Sequence, residues 1–159
     1  MMMNRKGKPL YMKILIAALI IALFFSVKTW NDNRERSLGE LVNYDEEKFA
    51  GLGFTQNRNQ IPEGQGFQWW TSNEEAAKEL DEFFSQYNVK KISEEHYNKR
   101  LNKEPTFQYE IQLRDSNPIL VHGMATRIHI LVGHYYEVTN GPIDREWLVQ
   151  FSKKYGESS

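Results

Sequence analysis

Four histidines, His96, His122, His129 and His134, are the residues of this chain best suited to metal or acid–base chemistry. Imidazole binds zinc and similar metals through either ring nitrogen. His122, His129 and His134 fall in a region that reads as successive strands, where pairing would bring them close, and Glu137 adds a carboxylate. Their spacing matches no ligand motif. Alternation over Arg127 to Val132 puts His129 with Arg127 and Leu131, opposite Ile128 and Ile130, on the solvated side of a strand. These histidines are read as surface or hydrogen-bonded groups, and no metal or cofactor is expected. Hydrolysis would need converging carboxylates, or a serine beside a base. The carboxylates are scattered over helix faces, and no serine stands in a G-x-S-x-G turn. No catalytic residue is assigned.

The aromatic doublets say more. Successive strand side chains point to opposite faces, so Trp69 and Trp70 cannot enter one core together if their segment is extended, and Tyr135 with Tyr136 pose the same problem. One member of each pair is left for another surface. Tryptophan and tyrosine stack on sugar rings or anchor protein partners, which makes Trp69, Trp70, Tyr135 and Tyr136 the candidate partner-binding set, for an envelope protein or a glycan. The competing reading is that a loop, a helix or a second buried sheet face covers them.

Behind these residues stands a chain of 159 residues without cysteine, which excludes disulfides, thiol catalysis and thiolate metal sites. Charge is distributed unevenly. Arg5, Lys6, Lys8 and Lys13 precede any acidic residue, whereas beyond Val27 sixteen basic residues face twenty-one acidic ones, a balance of −5. An acidic domain without a basic run repels phosphate backbones, so nucleic acid is not an expected partner.

Ile14 to Val27 carries no charge, and with Leu10 to Met12 before it and Trp30 after it the apolar stretch reaches about 31 Å as a helix. That length matches a hydrocarbon core of about 30 Å, with Lys13 and Lys28 extending toward the headgroups and Tyr11 and Trp30 at the interfaces. Residues 10–30 are therefore read as a transmembrane signal-anchor, preceded by a basic cytoplasmic tip at 1–9. A cleaved secretory signal is the alternative, but the small residues that cleavage wants at alternate positions are lacking around Ser26 to Asn31. Basic residues stay inside, so the rest of the chain is expected outside the cytoplasm.

Residues 31–37 read as a juxtamembrane linker and 38–159 as one extracytoplasmic domain. Four glycines and a proline make 51–66 loop-rich, read as a hairpin or an irregular lead-in. A helix is expected from Asn73 to about Asn88, opened by Ser72 with Glu75 as a capping box, with Ala76, Ala77, Leu80, Phe83, Phe84 and Tyr87 as its apolar stripe. Val89 to Ser93 reads as a short strand, and Ser93 opens a short helix reaching Leu101. Phe107, Tyr109, Ile111 and Leu113 alternate with polar residues as a half-buried strand, and runs from Ile119, Arg127 and Tyr135 extend a meander. Asn140-Gly141-Pro142 breaks it and starts a last helix, with Pro142 near its first turn. The expected fold is α+β: one transmembrane helix, then an antiparallel sheet of four to six strands with two or three helices on one face. The expected function is a membrane-anchored, non-catalytic binding or regulatory protein; a cell-envelope hydrolase and an inhibitor or immunity protein are the alternatives.

Overall fold

The computed structural model describes residues 8–62, 64–99, 104–131 and 134–157. The chain divides into two compact units, Met1–Arg34 and Glu35–Ser159.

The first unit is a single helix, α1, Lys8–Asn33. Its window Tyr11–Asn31 spans 21 residues with a mean hydropathy of 2.1, and none of it is buried. This is a helix long and apolar enough to cross a membrane. It is apolar on every side, as a lipid-facing helix is and a surface helix is not. Two of its polar side chains bond back to the turn before: Ser26 Oγ donates to the Ala22 carbonyl and Asn33 Nδ2 to that of Thr29, both at 2.8 Å. Of the basic tip expected at 1–9, residues 1–7 lie outside the described ones.

The second unit is an eight-stranded sheet, every neighbouring pair antiparallel. Its strands are β1 Arg36–Ser37, β2 Phe49–Thr55, β3 Trp69–Thr71, β4 Asn88–Ile92, β5 Phe107–Leu113, β6 Ile119–Gly123, β7 Arg127–Leu131 and β8 His134–Val138. Their spatial order is β1-β4-β8-β7-β6-β5-β2-β3. The meander β5 to β8 forms the middle, and the edges are strands of two and three residues, short enough to offer little template for further pairing. Between the strands lie α2 Leu38–Val42, α3 Glu74–Ser85 and α4 Glu94–Asn98, and α5 Arg145–Gly156 follows β8.

Register assigns the faces. Phe54, Tyr109, Val121 and Ile130 are successive cross-strand partners, as are Leu52, Ile111 and Ile119, so these side chains share one inner face. Helix α3 covers part of it, its Phe84 ring 5.5 Å from Phe107 and 5.1 Å from Tyr109. Helix α5 covers the next part through Phe151, 5.2 Å from Phe54 and 5.8 Å from Trp69. Leu38 and Val42 of α2 complete this core. The short α4 lies on the opposite, outer face, where Tyr97 packs against His129 and Tyr135.

Several local expectations change. Of the stretch 51–66, read as a hairpin or an irregular lead-in, the first part belongs to a strand, Phe49–Thr55, with six of seven residues buried and paired antiparallel with Trp69–Thr71. Its glycines misled because Gly51 and Gly53 serve packing: a Cβ on Gly53 would lie 2.5 Å from Phe67 and 2.6 Å from Trp70, whose rings lie over that stretch of backbone. The sheet therefore has eight strands, beyond the four to six expected. Arg36 and Ser37, expected in the linker, pair with Val89 and Asn88 as an edge strand.

Helix α3 is capped by Asn73, which accepts from the Glu75 amide at 2.9 Å, and not by Ser72. Pro142 precedes α5 without entering it; Asp144 caps that helix by accepting from the amides of Glu146 and Trp147. Ser93 does cap α4, accepting from the His96 amide, but α4 ends at Asn98, and Leu101 lies outside the described residues.

Candidate functional site

The pleat separates each aromatic doublet. Trp69 points inward, 8 % exposed, stacked on Phe54 at 5.3 Å, and its Nε1 donates to Ser152 Oγ at 2.9 Å. Every part of that indole is satisfied by the core, polar edge included. Trp70 points outward over Gly51 and Gly53, beside Phe67, and is 40 % exposed. Tyr136 faces inward and is buried, while Tyr135 faces outward and is half-buried.

The outward pair does not meet. Four strands separate β3 from β8, and five steps of about 4.8 Å put Trp70 some 24 Å from Tyr135. Of the four candidate residues, Trp69 belongs to the core and Tyr136 to an inner groove. Trp70 and Tyr135 stand at separate places on the outer face.

Tyr135 ends a row of outer-face residues in cross-strand register: Gln108 opposite His122, His122 opposite His129, and His129 opposite Tyr135. His129 and Tyr135 stack at 4.3 Å with planes 19° apart. His122 and His129 rings stand 6.4 Å apart. His134, proposed from sequence as their neighbour, is paired with Ile130 and so belongs to the inner face. His96 makes its own contact with Glu137, 3.9 Å away. Among the described residues no group of three or more potential metal ligands gathers.

Burial pushes the His122 imidazole below its usual range, helped by His129 and Arg58, and burial likewise lowers His129 against the opposing pull of Glu94. Both shifts favour the neutral imidazole. His122 Nε2 and Gln108 Oε1 are buried without a hydrogen-bond partner among the described residues, so this polar row is under-satisfied.

Arg127 fixes the strap above the row. It is 6 % exposed, and its Nη1 donates to the carbonyls of His96 (3.1 Å), Tyr97 (2.9 Å) and Lys99, the exposed end of the α4 backbone ladder. Its Nη2 pairs with Glu104 at 2.9 Å. The cation complements both the carboxylate and the negative end of the peptide dipoles. The side chain of Tyr97, packed from α4 onto His129 and Tyr135, has its hydroxyl pushed up to about 12 by burial, although Arg127 opposes the shift.

On the inner face, α3 and α5 leave one strip of sheet open. Leu41 and Val42 of α2 form one wall of a groove of about 430 Å³, and Pro118, Ile119, Ile130 and Tyr136 form the other. Arg36, Asn117 and His134 supply its polar atoms. Sequence reading missed this groove because its walls come from segments nearly eighty residues apart. The signal available was indirect: Ile119 and Ile130 alternate inward on strands for which no long helix remains as cover.

No family model matches the chain, and comparison with curated proteins and with solved structures finds no match.

Proposed function

We propose that this chain is a single-pass membrane protein, anchored by Tyr11–Asn31 with its N-terminus in the cytoplasm, whose folded unit works outside as a non-catalytic binding module for an envelope protein or glycan. The observation that carries this reading is the helix itself: 21 residues, mean hydropathy 2.1, with large apolar side chains such as Ile20, Leu23 and Phe24 all more than half exposed. Leaving such a surface in water is costly at about 25 cal/mol per Å², and lipid removes that cost. The basic residues Arg5, Lys6, Lys8 and Lys13 support the orientation. The exposed indole of Trp70, held flat by two glycines, supports a binding role because a pre-positioned ring loses little entropy on contact.

Proteinase accessibility in intact cells or protoplasts, with N-terminal sequencing of the mature chain, tests the anchor. Digestion of 35–159 from outside, with α1 retained, is the expected result. A mature N-terminus beyond Trp30, or a protected domain, overturns it. For the binding surface, Trp70→Ala is expected to remove partners recovered by crosslinking, and an unchanged crosslinking pattern removes the support for that surface.

A further inference from the structure

We infer that the hairpin of β2 and β3 binds an uncharged glycan, with Trp70 as the stacking platform for a sugar ring and the amides of Gln56, Asn57, Gln60 and Gln68 as partners for its hydroxyls. The inference rests on the binding reading above and names the class of partner. The indole of Trp70 lies along two strand glycines: a Cβ on Gly51 would meet its Cζ2 at 2.7 Å, and one on Gly53 its Cε3 at 2.6 Å. Backbone thereby supports the ring from below, and the residue is still 40 % exposed. A pyranose carries C–H groups on its faces and hydroxyls around its rim, so it suits a flat aromatic surface with polar groups beside it.

Those polar groups belong to the same hairpin. Gln68 precedes Trp70 by two residues, at most about 7 Å of extended chain. It is fixed to β2, its amide N–H donating to Thr55 Oγ1 at 3.0 Å and its Oε1 accepting from the Gln56 amide at 3.3 Å. Gln56, Asn57, Gln60, Ile61 and Gln68 line a cavity of about 210 Å³. That is smaller than pockets that enclose a whole ligand, and suits one unit of a polymer. This lining carries no charged side chain, so an ionic ligand finds no complement in it. Side-chain amides are donors and acceptors at once, as hydroxyls are. Asn57 Oδ1 is buried without a hydrogen-bond partner among the described residues, so the lining is under-satisfied as it stands. An apolar protein anchor seated beside Trp70 would desolvate these amides without bonding them. Arg58, the cation of this segment, is turned to the loop, where its Nη1 donates to the carbonyls of Gln65 (2.9 Å) and Gly66 (3.1 Å). That bracket holds the loop leading into Phe67 and Gln68 in place, which lowers the entropy lost on binding.

The test uses the full chain in detergent micelles, titrated calorimetrically with three uncharged oligosaccharides, chitohexaose, laminarihexaose and maltohexaose, and with oligogalacturonic acid as the anionic control. At least one uncharged chain is expected to bind, and more tightly than the acid. Trp70→Ala is expected to weaken that binding about tenfold or more, and Gln60→Ala, at an exposed position, about threefold to tenfold through the loss of one hydrogen bond. Circular dichroism checks the fold of each variant, and Gln60→Ala decides should Trp70→Ala disturb it. Failure of all three uncharged chains to bind, tighter binding of the acid, or unchanged affinity in either folded variant overturns the inference. A protein crosslink that depends on Trp70, without glycan binding, overturns it and leaves the binding reading standing. Loss of both the crosslink and glycan binding from the unaltered chain removes the two together.

Discussion

His122 and His129 face one another across the β6–β7 hairpin, ring centroids 6.4 Å apart and planes at 84°, on the sheet face away from the core. Around them stand Arg58, Gln108, Glu94, Tyr97 and Tyr135. Both imidazoles are depressed in the folded chain, chiefly by burial. The unfolded chain therefore takes up their protons first as pH falls from about 6.5, and stability present above that pH is lost through the window down to the folded values. Urea unfolding at about pH 7 and pH 5 is expected to show a lower midpoint at the acid end, and His122→Gln is expected to reduce that difference. An identical pH dependence in the variant argues against the pair. Glu79, held below the usual carboxylate range by Lys154 and Tyr155 in spite of its desolvation, loses its contribution only at lower pH, so the two effects separate.

The bed of Trp70 makes a second prediction. An alanine Cβ at Gly53 would meet Phe67 at 2.5 Å and Trp70 at 2.6 Å, distances real Cβ atoms do not tolerate. Gly53→Ala is expected to cost about 1–3 kcal/mol as overpacking, measured by chemical denaturation. Because Trp70 is part of the obstruction, combining Gly53→Ala with Trp70→Ala should cost less than the sum of the single changes, by about 0.5 kcal/mol or more. Strict additivity would mean the ring moves aside freely.

Arg127 supplies the third. Replacing it with leucine leaves three carbonyls and Glu104 without their donor, at an expected cost of about 2–3 kcal/mol, below the range for a fully buried pair because Glu104 is 29 % exposed. Glu104→Gln, which keeps an acceptor oxygen, is expected to cost no more than about 1 kcal/mol. Limited proteolysis adds a local readout: cleavage after Lys99 should quicken in Arg127→Leu before global unfolding does. Equal losses in the two variants would place the stabilisation in the ion pair instead of the carbonyl bracket.

Much of the fold was legible because its signals are local. The strand Phe107–Leu113 alternates strictly, and the structure ends it at those residues. The apolar stripe of α3 recurs at helical spacing, and Ala76, Ala77, Leu80, Phe83 and Phe84 are all buried. Caps were less legible: Ser72 and Asn73 both suit the position by residue type, and the structure places Asn73 there. The strand at 49–55 was illegible because glycines carry no side chain to alternate, and the purpose of Gly51 and Gly53 lies nineteen and seventeen residues away in Trp70.

By itself, the sequence determined the apolar helix near its start, the mixed α+β character and the opposite facing of Trp69 and Trp70, since each depends on hydropathy or on a period of two along one segment. Tertiary structure alone decided which member of each doublet joined the core, that His122 faces His129 while His134 turns away, and that a groove opens beside α2. Those outcomes depend on register between strands and on which helix covers which strip of sheet, and register couples residues too distant along the chain for any local pattern to encode.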